Sequence, residues 1–312
     1  MEHLFGYSVY QDLSELGDDV DEVLRRTNCD GFEMLTSHTP VEPQYIPHTV
    51  SVHLPFATDW LAPWEGRAYD MDEYFAKYYM YGRDREEVVC TVKNMIDYAA
   101  VIKPAHGVIH ACNIDLPEVH RRHYTRDSSE VLRKFCEMMN EAVSRFPGGE
   151  PPFKLVFENL WWPGLRLQDN SDFKLLQDKI EFENWGICLD TGHLMNTLPG
   201  IDTQIDGIDA LLKIFDGYSS DLIDAISAMH FHYSASSEYR ETFEEVVYEG
   251  GPITDYLAGS YKHISLLDQH RPFSDPRCKE LVDYIRPNLV IHELPGKRPN
   301  VIQEFIQQRS LL

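Results

Sequence analysis

The chain lacks most of the features that sort a sequence into a class at first sight. Its six cysteines (Cys29, Cys90, Cys112, Cys136, Cys188 and Cys278) are scattered singly with no CxxC pair. That excludes a zinc-ribbon spacing and argues against a disulfide framework, so they read as reduced, mostly buried thiols. No apolar run is long enough to cross a bilayer, and the opening MEHLFGYSVYQDL has no basic region followed by a long apolar segment. The expectation is a cytoplasmic protein with no membrane partner. There is no Ser/Gly-rich or low-complexity run and no short repeat, hence no visible linker, and residues 1–312 read as a single domain. Positive charge is also short, with 28 basic against 51 acidic residues and a net charge of -23. A protein that grips a phosphate backbone needs basic patches to release counterions. No nucleic acid partner is expected, and a small-molecule substrate is favoured.

What is present is an alternation. Strand-like runs at Leu4–Tyr10, Gly31–Leu35, Thr49–Phe56, His106–Cys112, Lys154–Asn159, Gly186–Asp190, Ala228–Tyr233 and Leu289–Glu293 make eight. Amphipathic stretches fall between and after them at Asp19–Arg26, Arg85–Ile102, Ser128–Phe146, Ser171–Glu181 and Asn300–Gln308. Eight strands separated by helices in a chain of this length predict an α/β fold of the (β/α)8 TIM barrel type. A doubly wound sheet would often carry a Gly-rich phosphate turn after its first strand, and none is seen. Two connections are too long to be simple joints. That at about 57–84 holds eight aromatics, among them Trp60 and Trp64, which could stack on a sugar face or form a homo-oligomer contact. The second runs over about 234–287 and carries Asp268 and His270 in LLDQHRPF.

The stretch CLDTGHLMN, Cys188 to Asn196, organises the rest. An apolar strand delivers Asp190 and then His193 at its carboxyl end, where barrels build their sites. An aspartate oxygen and an imidazole nitrogen suit Zn, Mn or Fe. A plain helix N-cap at Asp190 or Thr191 explains the same letters. The other strands tip the balance: they finish with His53, with His110, with Glu158 and Asn159, with His230 and His232, and with His292 and Glu293. A glutamate after Val156 and Phe157 would bury an unpaired charge at prohibitive cost unless a cation faces it, and Glu293 is in the same position. Because side chains alternate, His230 and His232 share a face while His292 and Glu293 oppose each other, and Glu293 is taken as the inward one. The loop Lys297–Arg298 follows the last strand, where barrels often hold phosphate.

This ordered set resembles the xylose isomerase-like barrel superfamily, which includes sugar epimerases, sugar-phosphate isomerase relatives and endonuclease IV. In the epimerase branch, the resemblance implies one divalent ion on Glu158, Asp190, His232 and Glu293. The two glutamates would double as acid and base on opposite faces of a substrate carbon, and His193 would bind a substrate oxygen. The endonuclease branch implies two or three ions and adds His53, His110, Asp268 and His270. The leading expectation is therefore a metal-dependent isomerase or epimerase of a sugar-like or sugar-phosphate molecule. The alternative is a di- or trinuclear hydrolase of a small phosphoester.

Overall fold

The computed structural model describes residues 1–10, 20–294 and 301–312. Eight parallel strands close into a barrel in sequence order, β1 Glu2–Ser8, β2 Gly31–Leu35, β3 Thr49–His53, β4 His106–His110, β5 Lys154–Glu158, β6 Trp185–Asp190, β7 Ile226–His230 and β8 Leu289–His292. β1 shuts the ring by pairing with β8, Leu4 opposite Ile291 and Phe5 opposite His292. This is the (β/α)8 barrel that the alternation predicts. No described helix is long and apolar enough to cross a membrane.

Period-2 alternation decides what the ring encloses. Leu4, Val108, Val156, Cys188, Ala228, Leu289 and Ile291 form one buried cluster that plugs the barrel. Residues of opposite parity, such as Ile109, Phe157, Ile187, Leu189, Met229 and Val290, join the larger core. The helix Ser128–Val143 shows how that core is closed. Asp127 caps it by accepting from the Glu130 amide at 3.0 Å, and Val131, Leu132, Phe135, Cys136, Met138, Met139, Ala142 and Val143 are all buried. Each side chain of that size taken fully out of water is worth about 1.5–3 kcal/mol.

Both long connections have internal structure. Residues 57–84 contain helices Leu61–Trp64 and Glu73–Met80. Asp59, fully buried, ties this segment down. It accepts from the Tyr69 hydroxyl (2.6 Å), the Leu116 and Ala62 amides (both 3.1 Å) and the Asn113 side chain (3.2 Å). The 234–287 connection carries Ser237–Thr242, Ile253–Tyr256, Ser260–Leu267 and Cys278–Ile285. By contrast, β2 and β3 are joined only through a 3-10 helix, Pro43–His48.

Candidate metal centre at the carboxyl ends of the strands

One step up from the apolar plug, the inward positions turn polar. Glu158 is fully buried, and each of its oxygens faces a different pair of imidazoles. Oε2 lies 3.1 Å from His53 Nε2 and 3.3 Å from His110 Nε2; Oε1 lies 3.1 Å from His193 Nδ1 and 3.2 Å from His230 Nδ1. Burial would raise this carboxyl, but the facing imidazoles of His230 and His110 hold it well below the usual range. Glu293 turns inward, its Oε2 3.0 Å from His230 Nδ1. His292 points outward instead, between His3 (3.2 Å) and Gln308 (2.8 Å).

Asp190 carries both of the roles that its sequence context allows. Oδ1 accepts from the His193 amide at 2.6 Å and so caps the helix Thr191–Asn196, while Oδ2 faces His232 Nε2 at 3.0 Å and His230 Nδ1 at 3.7 Å. The glycine two positions on explains the close fit. A Cβ on Gly192 would fall 2.1 Å from His232 Cε1, so only glycine leaves room for that imidazole. Asp268 and His270 reach in from the long connection. Asp268 Oδ2 lies 3.2 Å from His193 Nε2 and 2.9 Å from His270 Nε2.

The tautomers of three histidines follow from their outer partners. The Leu54 carbonyl can only accept, so His53 Nδ1–H donates to it at 2.7 Å and Nε2 presents a lone pair to the centre. His193 Nδ1–H donates to the Asn159 carbonyl at 2.9 Å, which leaves its Nε2 free toward Asp268. His230 Nε2–H donates to Glu33 at 2.6 Å and turns its Nδ1 toward Glu158 and Glu293. Where a carbonyl or carboxylate takes up the outer N–H, an inner nitrogen that faces a carboxylate needs either a second proton or a cation between the two. His232 Nδ1, His270 Nε2 and Glu293 Oε2 are buried and make no hydrogen bond among the described residues, although His270 and Glu293 each have a polar atom within 3.0 Å. Such a donor set fits a cation, and the ring nitrogens bound outward by carbonyls or carboxylate are how ligand imidazoles are oriented.

Three groups have their ligand atoms close enough to share one ion: His53, His110 and Glu158; Glu158, Asp190, His230 and Glu293; and His193, His232, Asp268 and His270. All ten residues picked as metal-capable thus converge. The histidine grouped with Glu158, Asp190 and Glu293 is His230, where the epimerase-like set would have His232.

Other sequence-based choices land elsewhere. Trp60 and Trp64 are buried core residues, so the substrate-stacking role expected of them does not hold. Trp60 is 1% exposed and donates to the Cys112 carbonyl at 2.8 Å, and Trp64 lies under the Arg85 guanidinium at 4.0 Å. The exposed aromatics of that segment are Tyr74 and Phe75. Lys297 and Arg298 lie outside the described residues. Sequence reasoning missed Glu33, buried on β2, which accepts from His230, from Ser51 (2.7 Å) and from His106 (3.1 Å). The signal was there, since GFEML sets Glu33 directly after Phe32 in an apolar strand, as KLVFE sets Glu158 after Phe157.

No family model matches the chain, and no curated protein matches its sequence. Solved structures do. A candidate xylose isomerase from Rhodospirillum rubrum aligns over 99% of this chain and 97% of its own, with a TM-score of 0.55 and 10% identity. A D-tagatose 3-epimerase-like protein aligns over 99% and 95% (TM-score 0.49, 15% identity). Endonuclease IV from Thermus thermophilus aligns over 93% and 91% (TM-score 0.45, 15% identity). At these identities the likeness speaks for the (β/α)8 barrel fold alone, and the chemistry rests on the side chains above.

Proposed function

We propose that this chain is a metal-dependent hydrolase of a phosphoester in a small molecule, with a centre of two or three divalent ions. The observation that carries the reading is Glu158, whose two oxygens face two different ligand groups while a third group, built on Asp268 and His270, adjoins them through His193. His53, His110 and Glu158 would hold one ion, Glu158, Asp190, His230 and Glu293 a second, and His193, Asp268 and His270, with His232 beside them, a third. When bound, such ions lower the pKa of water and neutralise charge on phosphoryl oxygens. The protein's own part is positional. Glu33 fixes the His230 ring, the Leu54 and Asn159 carbonyls fix His53 and His193, and the apolar plug beneath keeps the mouth shut from below.

An acidic chain is a poor host for a polynucleotide, which supports a small substrate. Zn, Mn and Fe all suit this mixture of imidazole and carboxylate. The test is hydrolysis of bis(p-nitrophenyl) phosphate and of p-nitrophenyl phosphate by chain reloaded with each metal. Metal-dependent release that Glu158→Gln abolishes is expected; no release with any metal would contradict the reading.

The epimerase reading, a sugar or sugar-phosphate isomerisation by proton transfer, has one specific observation in its favour. Glu158 and Glu293 converge on the same imidazole nitrogen, at 3.2 and 3.0 Å, as an acid and base sharing one ion would. It leaves His53, His110, Asp268 and His270, all of them turned into the mouth, without a task. Uptake of solvent deuterium at a substrate carbon would favour it.

A further inference from the structure

Beside the centre lies a cleft of about 540 Å³ whose charge runs against that of the whole chain. Arg121, Arg122, Arg126, Arg166 and Arg240 line it, and Glu241 is the one carboxylate among its lining residues. The arginines differ in how far they are neutralised. Arg126 is held by Asp115 (2.9 Å) and Glu65 (2.7 Å), and Arg121 and Arg122 share Glu245. Arg240 donates to the carbonyls of Asn196 and Leu198, both at 2.5 Å, and to the Ser237 hydroxyl; its Nε has no partner among the described residues. Arg166 is held in place by its backbone. Asp172 accepts from the Arg166 and Leu167 amides at 2.9 and 3.1 Å, and the Arg166 Nε is likewise buried without a partner. Burial pulls both of these guanidiniums below their ordinary range, against the opposing pull of Asp172 on Arg166 and of Glu241 on Arg240.

The cleft adjoins the metal-capable centre directly. Trp161, on its wall, has its ring 5.1 Å from that of His193; Asn196 ends the helix that carries His193; and Leu267 immediately precedes Asp268. We propose that Arg166, supported by Arg240, receives an oxyanion of the substrate distinct from the ester at the metal centre, a phosphate or a carboxylate. This rests on reading the barrel mouth as a phosphoester hydrolase. A planar guanidinium with free donors matches either oxyanion in a bidentate way, which a lysine would not. The substrate is then a small molecule with at least two anionic groups, one over the ligands and one in the arginine cleft.

The test is calorimetric titration of the full chain with inorganic phosphate and, separately, with malonate, before and after chelation, with metal content measured on the same samples. Saturable binding of at least one probe that survives chelation and weakens tenfold or more in Arg166→Gln is expected, with partial loss in Arg166→Lys. Tighter phosphate binding identifies a phosphate, tighter malonate binding a carboxylate. Among the described residues Arg166 donates no side-chain hydrogen bond to the fold, so Arg166→Gln should keep the parent's melting temperature; if it does not, Arg166→Lys carries the comparison. No saturable binding of either probe to chelated chain, or equal affinity in the Arg166 variants, overturns the proposal. Absent metal with intact, Arg166-dependent binding would instead sink the hydrolase reading and leave the oxyanion cleft standing.

Discussion

The buried histidines of this barrel fall into two regions, and their neighbours separate them. On the outer flank, His3 meets His292, His38 meets the rings of Tyr78 and Tyr81, and His263 meets Tyr239. Burial pushes His3, His38 and His263 each down to about 4. In the mouth burial acts the same way, yet Asp190 and Asp268 hold His193 well above its ordinary range, and Glu158 and Glu293 help to do so for His230. His53 and His232 are raised as well, while His110 and His270 are lowered, burial being joined there by neighbouring imidazoles. Equal burial therefore means two things. Among the described residues the flank histidines have no pair of carboxylates facing their rings, whereas His193 and His230 in the mouth do and have an outer nitrogen fixed, which is how ligand imidazoles are arranged.

Breaking the mouth should cost most. Glu158→Gln removes the carboxylate shared by two groups, and we expect loss of bound metal together with at least about 10²–10³-fold of metal-dependent turnover, read by elemental analysis and phosphoester release. Gly192→Ala should be nearly as damaging by another route. The new methyl occupies the place of the His232 ring, so we expect about 1–3 kcal/mol of destabilisation in denaturant melts and a weakened metal site.

Glu33→Ala tests whether the region extends below its ligands. Loss of the carboxylate that fixes His230 should weaken metal affinity or activity about 10–100-fold, with His230 itself unchanged. A wild-type metal affinity would make Glu33 mere packing.

The flank predicts the smallest effect, one of pH. For His3, His38 and His263 the folded value near 4 lies below the ordinary 6.5, so between these limits the unfolded chain binds more protons. Their contribution is complete above about pH 6.5 and is lost as pH falls toward 4. His38→Phe should make the fall in thermal midpoint across that window shallower, without touching metal content. An unchanged slope would remove His38 from the flank group.

The strands were legible because alternation is local. Gly31–Leu35 matches to the residue, and the other strands shift by only a few positions at their ends, where pairing rather than composition sets the limit. Parity put His292 and Glu293 on opposite faces, and the greater need of a carboxylate for a polar site chose Glu293 as inward; in the structure Glu293 faces His230 and His292 faces Gln308. Glu33 was as readable as Glu158 and was passed over because it stands mid-strand rather than at a strand end. Trp60 was misassigned because nothing local tells an aromatic wall from an aromatic core; the Cys112 carbonyl that anchors it is 52 positions away. The arginine cleft was invisible for the same reason. Its guanidiniums come from the segments after β4, β5 and β7, and only barrel closure brings them together in a chain whose total charge points the other way.

The central claim is that the mouth holds more than one ion, and metal content per chain tests it most directly. Elemental mass spectrometry on protein purified without chelator or metal-binding tag should find two to three divalent ions per chain, falling in Glu158→Gln. One ion or fewer per chain, even after Zn and Mn are offered, would contradict the account.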